Sequence, residues 1–208
     1  MATKPGEKLK LDNRIGIVVR MWLNPLIRPR VEEKFGHISD WNVSQVTDME
    51  DLFYGATTFN ENLNKWDVSG VTCMYNMFRD AQAFNQPLDR WCVGNVVDMT
   101  CMFKGAHSFN QPLNNWNVGK VINMQSMFRN AFSFNCPLDE WNVNNVKNMN
   151  RMFLDADSFD QDISEWDVRN VNEITCIFGD NIDPRTYFVG LTDPSIFVPV
   201  TKNASKRK

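Results

Sequence analysis

Residues 109–131 read FNQPLNNWNVGKVINMQSMFRNA, and nearly the same string precedes and follows them. Trp41, Trp66, Trp91, Trp116, Trp141 and Trp166 fall 25 residues apart without a slip. Val43 to Val168, Val46 to Val171 and Phe53 to Phe178 repeat at the same interval, as do Met49 to Met149, with Ile174 closing that column. Ala56 to Ala156 and Phe59 to Phe159 recur through five units. A fixed period with no insertion marks near-identical units that stack on one another.

Each unit carries two spacings. Trp-x-Val is an alternation, which places both side chains on one face of an extended segment. Val71-x-x-Met74-x-x-Met77-Phe78-x-x-Ala81 follows the spacing of one helix face over about two turns. Asp48, Asp98, Asn123 and Asn148 suit the start of such a helix, and Gly55 and Gly105 suit an early end to it. The Phe-Asn-x-Pro-Leu segment is a turn: Asn60, Asn85, Asn110 and Asn135 tolerate unusual backbone angles, and Pro87, Pro112 and Pro137 fix the exit. The fold class expected is therefore α/β, a leucine-rich-repeat-like solenoid of six 25-residue coils, each with a short strand and a short helix. Neither element is stable alone at this length; packing of like side chains between coils supplies the stability, roughly 1.5–3 kcal/mol for each large apolar side chain fully buried.

The string WDVSGVTCMYNMFRDAQAFNQPLDRW at residues 66–91, with its copies, resembles the BspA-like leucine-rich-repeat family of bacterial and mycoplasma surface lipoproteins, which also occurs in large DNA viruses. Leu63-x-x-Trp66-x-Val68 fits the LxxLxL pattern with Trp in the second Leu place. Val71 stands where that repeat carries its usual Asn, so the Asn column after Phe is expected to form the inter-coil ladder instead. The resemblance implies a leucine-rich-repeat solenoid with a helical N-terminal cap.

The period divides the chain. Residues 1–12 read as an arm and 13–36 as a helical cap, with Ile15, Val18, Val19 and Trp22 at near-helical spacing before Pro25 and Pro29. The repeats occupy 37–178, beginning with Ile38 in the Leu63 column. Residues 179–201 read as a C-terminal cap built on TYFVGL and SIFVPV, and 202–208 as a basic tail.

Net charge is -3, although Lys202, Lys206, Arg207 and Lys208 crowd the end. The rest is more acidic still, which argues against a broad nucleic-acid surface; the tail is the one place for weak nucleic-acid contact. No apolar run approaches the ~20 residues of a membrane span, and MATKPGEKLKLDNR lacks the apolar stretch of a signal peptide. An intracellular or virion location is therefore expected, with no membrane insertion. The five cysteines are expected to be reduced and structural.

No constellation points to catalysis. His37 and His107 lie in different units, no Cys/His pair has metal-ligand spacing, and no phosphate-binding or nucleophile-elbow motif occurs. The expected catalytic, cofactor and metal sets are therefore empty. Asn42, Asp67, Asn117, Asn142 and Asp167 read as a solvated face, and the glycosylation sequons at Asn42 and Asn203 as chance matches. What varies between coils is the outer face. Tyr54, Tyr75, Arg79, Arg129, Arg151 and Leu154, with Phe132 and His107 just beyond the expected helix, form the candidate protein-binding surface, since Tyr and Arg are common interface anchors. The function expected is a non-enzymatic protein-binding or structural scaffold with a protein partner; the alternative is a secreted or surface adhesin of the BspA-like type.

Overall fold

The computed structural model describes residues 11–12, 14–179, 185, 187 and 188. Two short helices, α1 (Ile15–Leu23) and α2 (Arg28–Phe35), precede the repeats, followed by a single 3-10 turn at Ile38–Asp40. Pro29 sits in the first turn of α2, where a missing N–H costs nothing. Gly36 ends α2 at φ 74, a conformation that a Cβ would strain. Ile15, Val19, Trp22 and Val31 are buried. Trp22 stands edge-on to Trp41, with ring centroids 5.6 Å apart, and so seals the first coil. Arg28 lies 4.3 Å above the Trp22 ring and reaches Glu61 at 2.6 Å, tying α2 to the first turn segment.

The repeats stack in register. Asp48, Cys73, Asp98, Asn123, Asn148 and Glu173 are linked one to the next by single parallel bridges. Phe53, Phe78, Phe103, Phe128, Phe153 and Phe178 form a continuous column with ring centroids 5.3 to 5.7 Å apart. A second column runs from Phe59 to Phe159 at 5.9 to 6.0 Å. Trp41 stacks on Trp66, Trp91 on Trp116 and Trp141 on Trp166. The Trp, Val, Met and Phe columns expected to be core are buried almost throughout; Phe159 and Phe178, in the last two coils, are partly covered.

The expected strand-plus-helix coil does not form. Among the described residues the coils contain no α-helix, only the 3-10 turn at Ile38–Asp40, and no strand beyond the isolated bridges, so the α/β leucine-rich-repeat-like architecture is corrected. The main chain explains why. In the second coil the N–H groups of Met74, Asn76, Phe78 and Asp80 donate to Asp98, Thr100, Met102 and Lys104 carbonyls of the next coil, at 2.7 to 2.9 Å. The N–H groups between them, on Met77, Arg79 and Ala81, close turns onto Met74, Asn76 and Phe78. Alternate peptide groups thus point along the stack, and the rest turn back three residues. A helix needs every N–H directed four residues back. It also needs every residue right-handed, whereas Asn76 and Asp80 have φ of 53 and 58. The same pair of left-handed positions recurs at Asp51 and Gly55, Cys101 and Gly105, Ser126 and Asn130, and Arg151 and Asp155.

The Trp-x-Val segment is also corrected. Both side chains are buried, as alternation requires, but Val46 N–H turns back to the Val43 carbonyl, and the later coils do the same. The residue between Trp and Val accepts from the backbone two residues on: Ser44 to Asn42, Ser69 to Asp67, Gly119 to Asn117 and Asn144 to Asn142. These are Asx turns, which end any strand before it can pair.

Two side-chain ladders join the coils elsewhere. Asn60 Oδ1 accepts from Asn85 N–H, Asn85 from Asn110, Asn110 from Asn135 and Asn135 from Asp160, each at 2.9 Å; this is the ladder expected of the Asn column. From the second coil on, each indole N–H donates to the carbonyl of the Leu column one coil back, as Trp91 does to Leu63 and Trp116 to Leu88, whereas Trp41 in the first coil donates to Gly36. Trp66 uses Ile38 in the same way, which places Ile38 in that column. The proposed C-terminal strands and basic tail lie outside the described residues, apart from Tyr187 against Phe178 and buried Phe188. No described helix is long and apolar enough to cross a membrane.

Candidate interaction face

Because the coils are in register, residues 25 apart become neighbours one rung away, about 5 Å. The segment that carries the left-handed residues runs from the first Met to the Ala; Asn76, Cys101 and Ser126 within it are buried, while the position just after the Phe is half-buried at Arg79, Lys104 and Arg129. Tyr54, Arg79, Lys104, Arg129 and Leu154 occupy one column of it. The Arg79 guanidinium lies 5.2 Å above the Tyr54 ring, within reach of a cation–π attraction. Arg79 Nε comes within 3.4 Å of Asp80 Oδ2 without a hydrogen bond.

The expected surface residues separate into four columns of this segment and the turn after it. Tyr54 is exposed and Arg79 and Arg129 are half-buried, all in the column just described. Tyr75, half-buried, lies in the column of Glu50 and Thr100; Arg151, exposed, is itself one of the left-handed residues. Phe132 is exposed in the next turn, where its ring stacks on His107 of the preceding coil at 4.6 Å. Leu154 is only 8% exposed, so it belongs to the core side of its column and not to an open surface. These residues stand on turns, not on the outer face of a helix.

Sequence reasoning missed Lys104. It lies directly between Arg79 and Arg129 in the 25-residue register, so the period itself was the available signal. Its ammonium is pushed below the ordinary lysine range by burial first, then by Arg79 and Arg129, against opposing pulls from Cys101 and Asp80.

The family described as "Mycoplasma protein of unknown function, DUF285" matches residues 28–136 and again residues 113–184. The chain belongs to this family. The DUF285 match starts at α2 and runs through all six Trp-bearing coils, so it takes in the whole face. No curated protein and no solved structure matches this DUF285 chain.

The five cysteines of this DUF285 protein form no disulfide; Cys101 and Cys176 are buried and Cys92 is exposed. Burial raises the thiol pKa at Cys101, Cys73 and Cys136, which keeps them protonated and poorly nucleophilic. Asp48, Glu50 and Cys73 bring potential ligand atoms within 4.8 Å of one another. Two of the three are open carboxylates, and their charges raise the Cys73 thiol further.

Proposed function

We propose that this chain is a non-enzymatic, protein-binding scaffold of the BspA-like kind, which holds a protein partner on the face that carries Tyr54, Tyr75, Arg79, Arg129 and Phe132. The observation that supports this reading is the register of the coils. It converts residues scattered over 79 positions of sequence, from Tyr54 to Phe132, into one continuous patch on a stiff support. Rigid presentation lowers the entropic cost of association, and Tyr and Arg anchors concentrate binding energy. The rest of each coil is committed to inter-coil packing and hydrogen bonding.

Affinity capture from the native source with the full chain tests the proposal. A partner recovered by the wild type should be lost with Arg129→Glu combined with Tyr75→Ala, while the variant's thermal unfolding stays close to the wild type. Undiminished recovery would remove this face from the function.

A further inference from the structure

The scaffold reading leaves the partner's chemistry open, and the column that holds Lys104 narrows it. Arg79, Lys104 and Arg129 stand on three consecutive rungs, about 5 Å apart by the strand spacing. Three cations at that distance repel one another, and Asp80, itself part-exposed, offers a carboxylate beside Arg79. The basicity of Lys104 is lowered first by burial, with Arg79 and Arg129 adding to it.

Unmet hydrogen bonds collect here too. Among the described residues, six buried side-chain polar atoms have no partner. One is Trp22 Nε1 in the cap. The other five are on Asn76, Arg79, Thr100, Arg129 and Asn130, within this segment of three adjacent coils. Native proteins leave few buried polar atoms unsatisfied, so their concentration in one patch points to a ligand. The set holds donors, the Nε groups of Arg79 and Arg129, and acceptors, the Oδ1 atoms of Asn76 and Asn130. A bare oxyanion supplies acceptors only. A peptide supplies carboxylates and carbonyls to the half-buried cations as well as donors of its own.

The length of the ligand is bounded as well. Asp48, Glu50 and Asp51 lie on the rung before Arg79, and Asp155 and Asp157 on the rung after Arg129. A long polyanion would run onto these carboxylates at both ends, and the chain as a whole carries -3. In an extended peptide, side chains on one face recur about every 6.6 Å. Two such carboxylates fit across the roughly 10 Å spanned by three rungs, each shared between neighbouring cations.

From this arrangement we infer that Arg79, Lys104 and Arg129 form a docking column for a short, extended acidic peptide segment of a protein partner. The inference rests on the scaffold reading and specifies it.

A fluorescein-labelled octapeptide of alternating Glu and Ser serves as the probe for the full-length protein. The expected result is saturable binding that weakens with salt and falls about tenfold or more with Lys104→Gln or Arg129→Gln, as for a charge-assisted contact. Lys65→Gln, which removes a lysine paired with Asp40 at 2.9 Å, should leave it unchanged. Carbodiimide coupling of the bound peptide to wild-type protein needs no variant; mass spectrometry should find a Lys104–Glu amide. No saturable binding, coupling confined to other lysines, or preferential displacement by a single-stranded oligonucleotide of equal charge would each overturn the inference. The scaffold reading would survive that failure if the native partner were released by Tyr54→Ala with Phe132→Ala but not by Lys104→Gln.

Discussion

The two halves of each coil are held together by different atoms. From the Phe-Asn turn to the Trp, the links between coils are largely side chains: Asn oxygens on backbone N–H groups, indole N–H groups on Leu carbonyls, and stacked rings. From the first Met to the Ala, the links are main chain, with four peptide groups directed at the next coil in each of the first four coils. The side-chain half depends on residue identity, and Trp and the turn Asn scarcely vary across the coils. The main-chain half depends on backbone conformation, which several residue types can adopt. Asp51, Asn76, Cys101, Ser126 and Arg151 therefore share one left-handed position with little in common chemically. Three of these five, Asn76, Cys101 and Ser126, are buried, so the variety reflects what the backbone tolerates there.

The comparison can be broken at graded cost. Phe103→Ala should have the largest effect, because its ring touches Phe78, Phe109 and Phe128 and has no exposure. We expect a loss of about 3–5 kcal/mol by denaturant unfolding; a loss below about 1 kcal/mol would mean that the column does not carry the stack. Trp116→Phe keeps most of the packing but leaves the Leu88 carbonyl without its indole donor, in a position where Trp116 is buried. About 1–3 kcal/mol is expected from the unsatisfied acceptor.

Asn110→Ala removes the acceptor for Asn135 N–H. Asn110 is exposed, so water replaces part of the bond and the cost should fall to about 0.5–1.5 kcal/mol. The smallest effect concerns Asp167. Its carboxyl is lowered to about 2 by the Arg169 side chain and then by the Arg169 N–H. A depressed carboxyl contributes stability above its ordinary value of 3.8 and loses it as pH falls through the folded value. Arg169→Ala should move the midpoint of a carbon-13 carboxyl titration upward, though not fully to the ordinary value, because the backbone N–H remains. An unmoved midpoint would show that the pair is not formed in solution.

Much of this was legible in the sequence, and what was not has a physical cause. The Trp, Val, Met and Phe columns identified the core, and the Asn after Phe identified the ladder, because burial and side-chain hydrogen bonds select particular residues. The helix reading of Val71 to Ala81 failed because apolar spacing records which side chains face inward, not how the backbone gets them there. Turns linked by left-handed residues produce the same inward pattern. The correcting signal was present in one column: Gly55, Asp80, Gly105, Asn130 and Asp155 are the residue types that accept positive φ most readily. The other left-handed column carried that mark only at Asp51 and Asn76, and lost it at Cys101, Ser126 and Arg151. The Asx residue after the Trp in five of the six coils, Cys92 being the exception, likewise signalled a turn where alternation suggested a strand. On the outer face, Lys104 was recoverable from the period, whereas the burial of Leu154 was not, since an outward column position gave no hint of it.

Arg151 offers the sharpest test of the turn-and-ladder backbone, since it is exposed and has φ 57. Equilibrium unfolding of Arg151→Gly and Arg151→Ala should be compared directly. In the backbone described here, Gly relieves a left-handed strain that Ala retains, so the Gly variant should be the more stable by about 1 kcal/mol. In a helical coil the order reverses, with Ala ahead by about 1 kcal/mol, and that reversal would contradict the account.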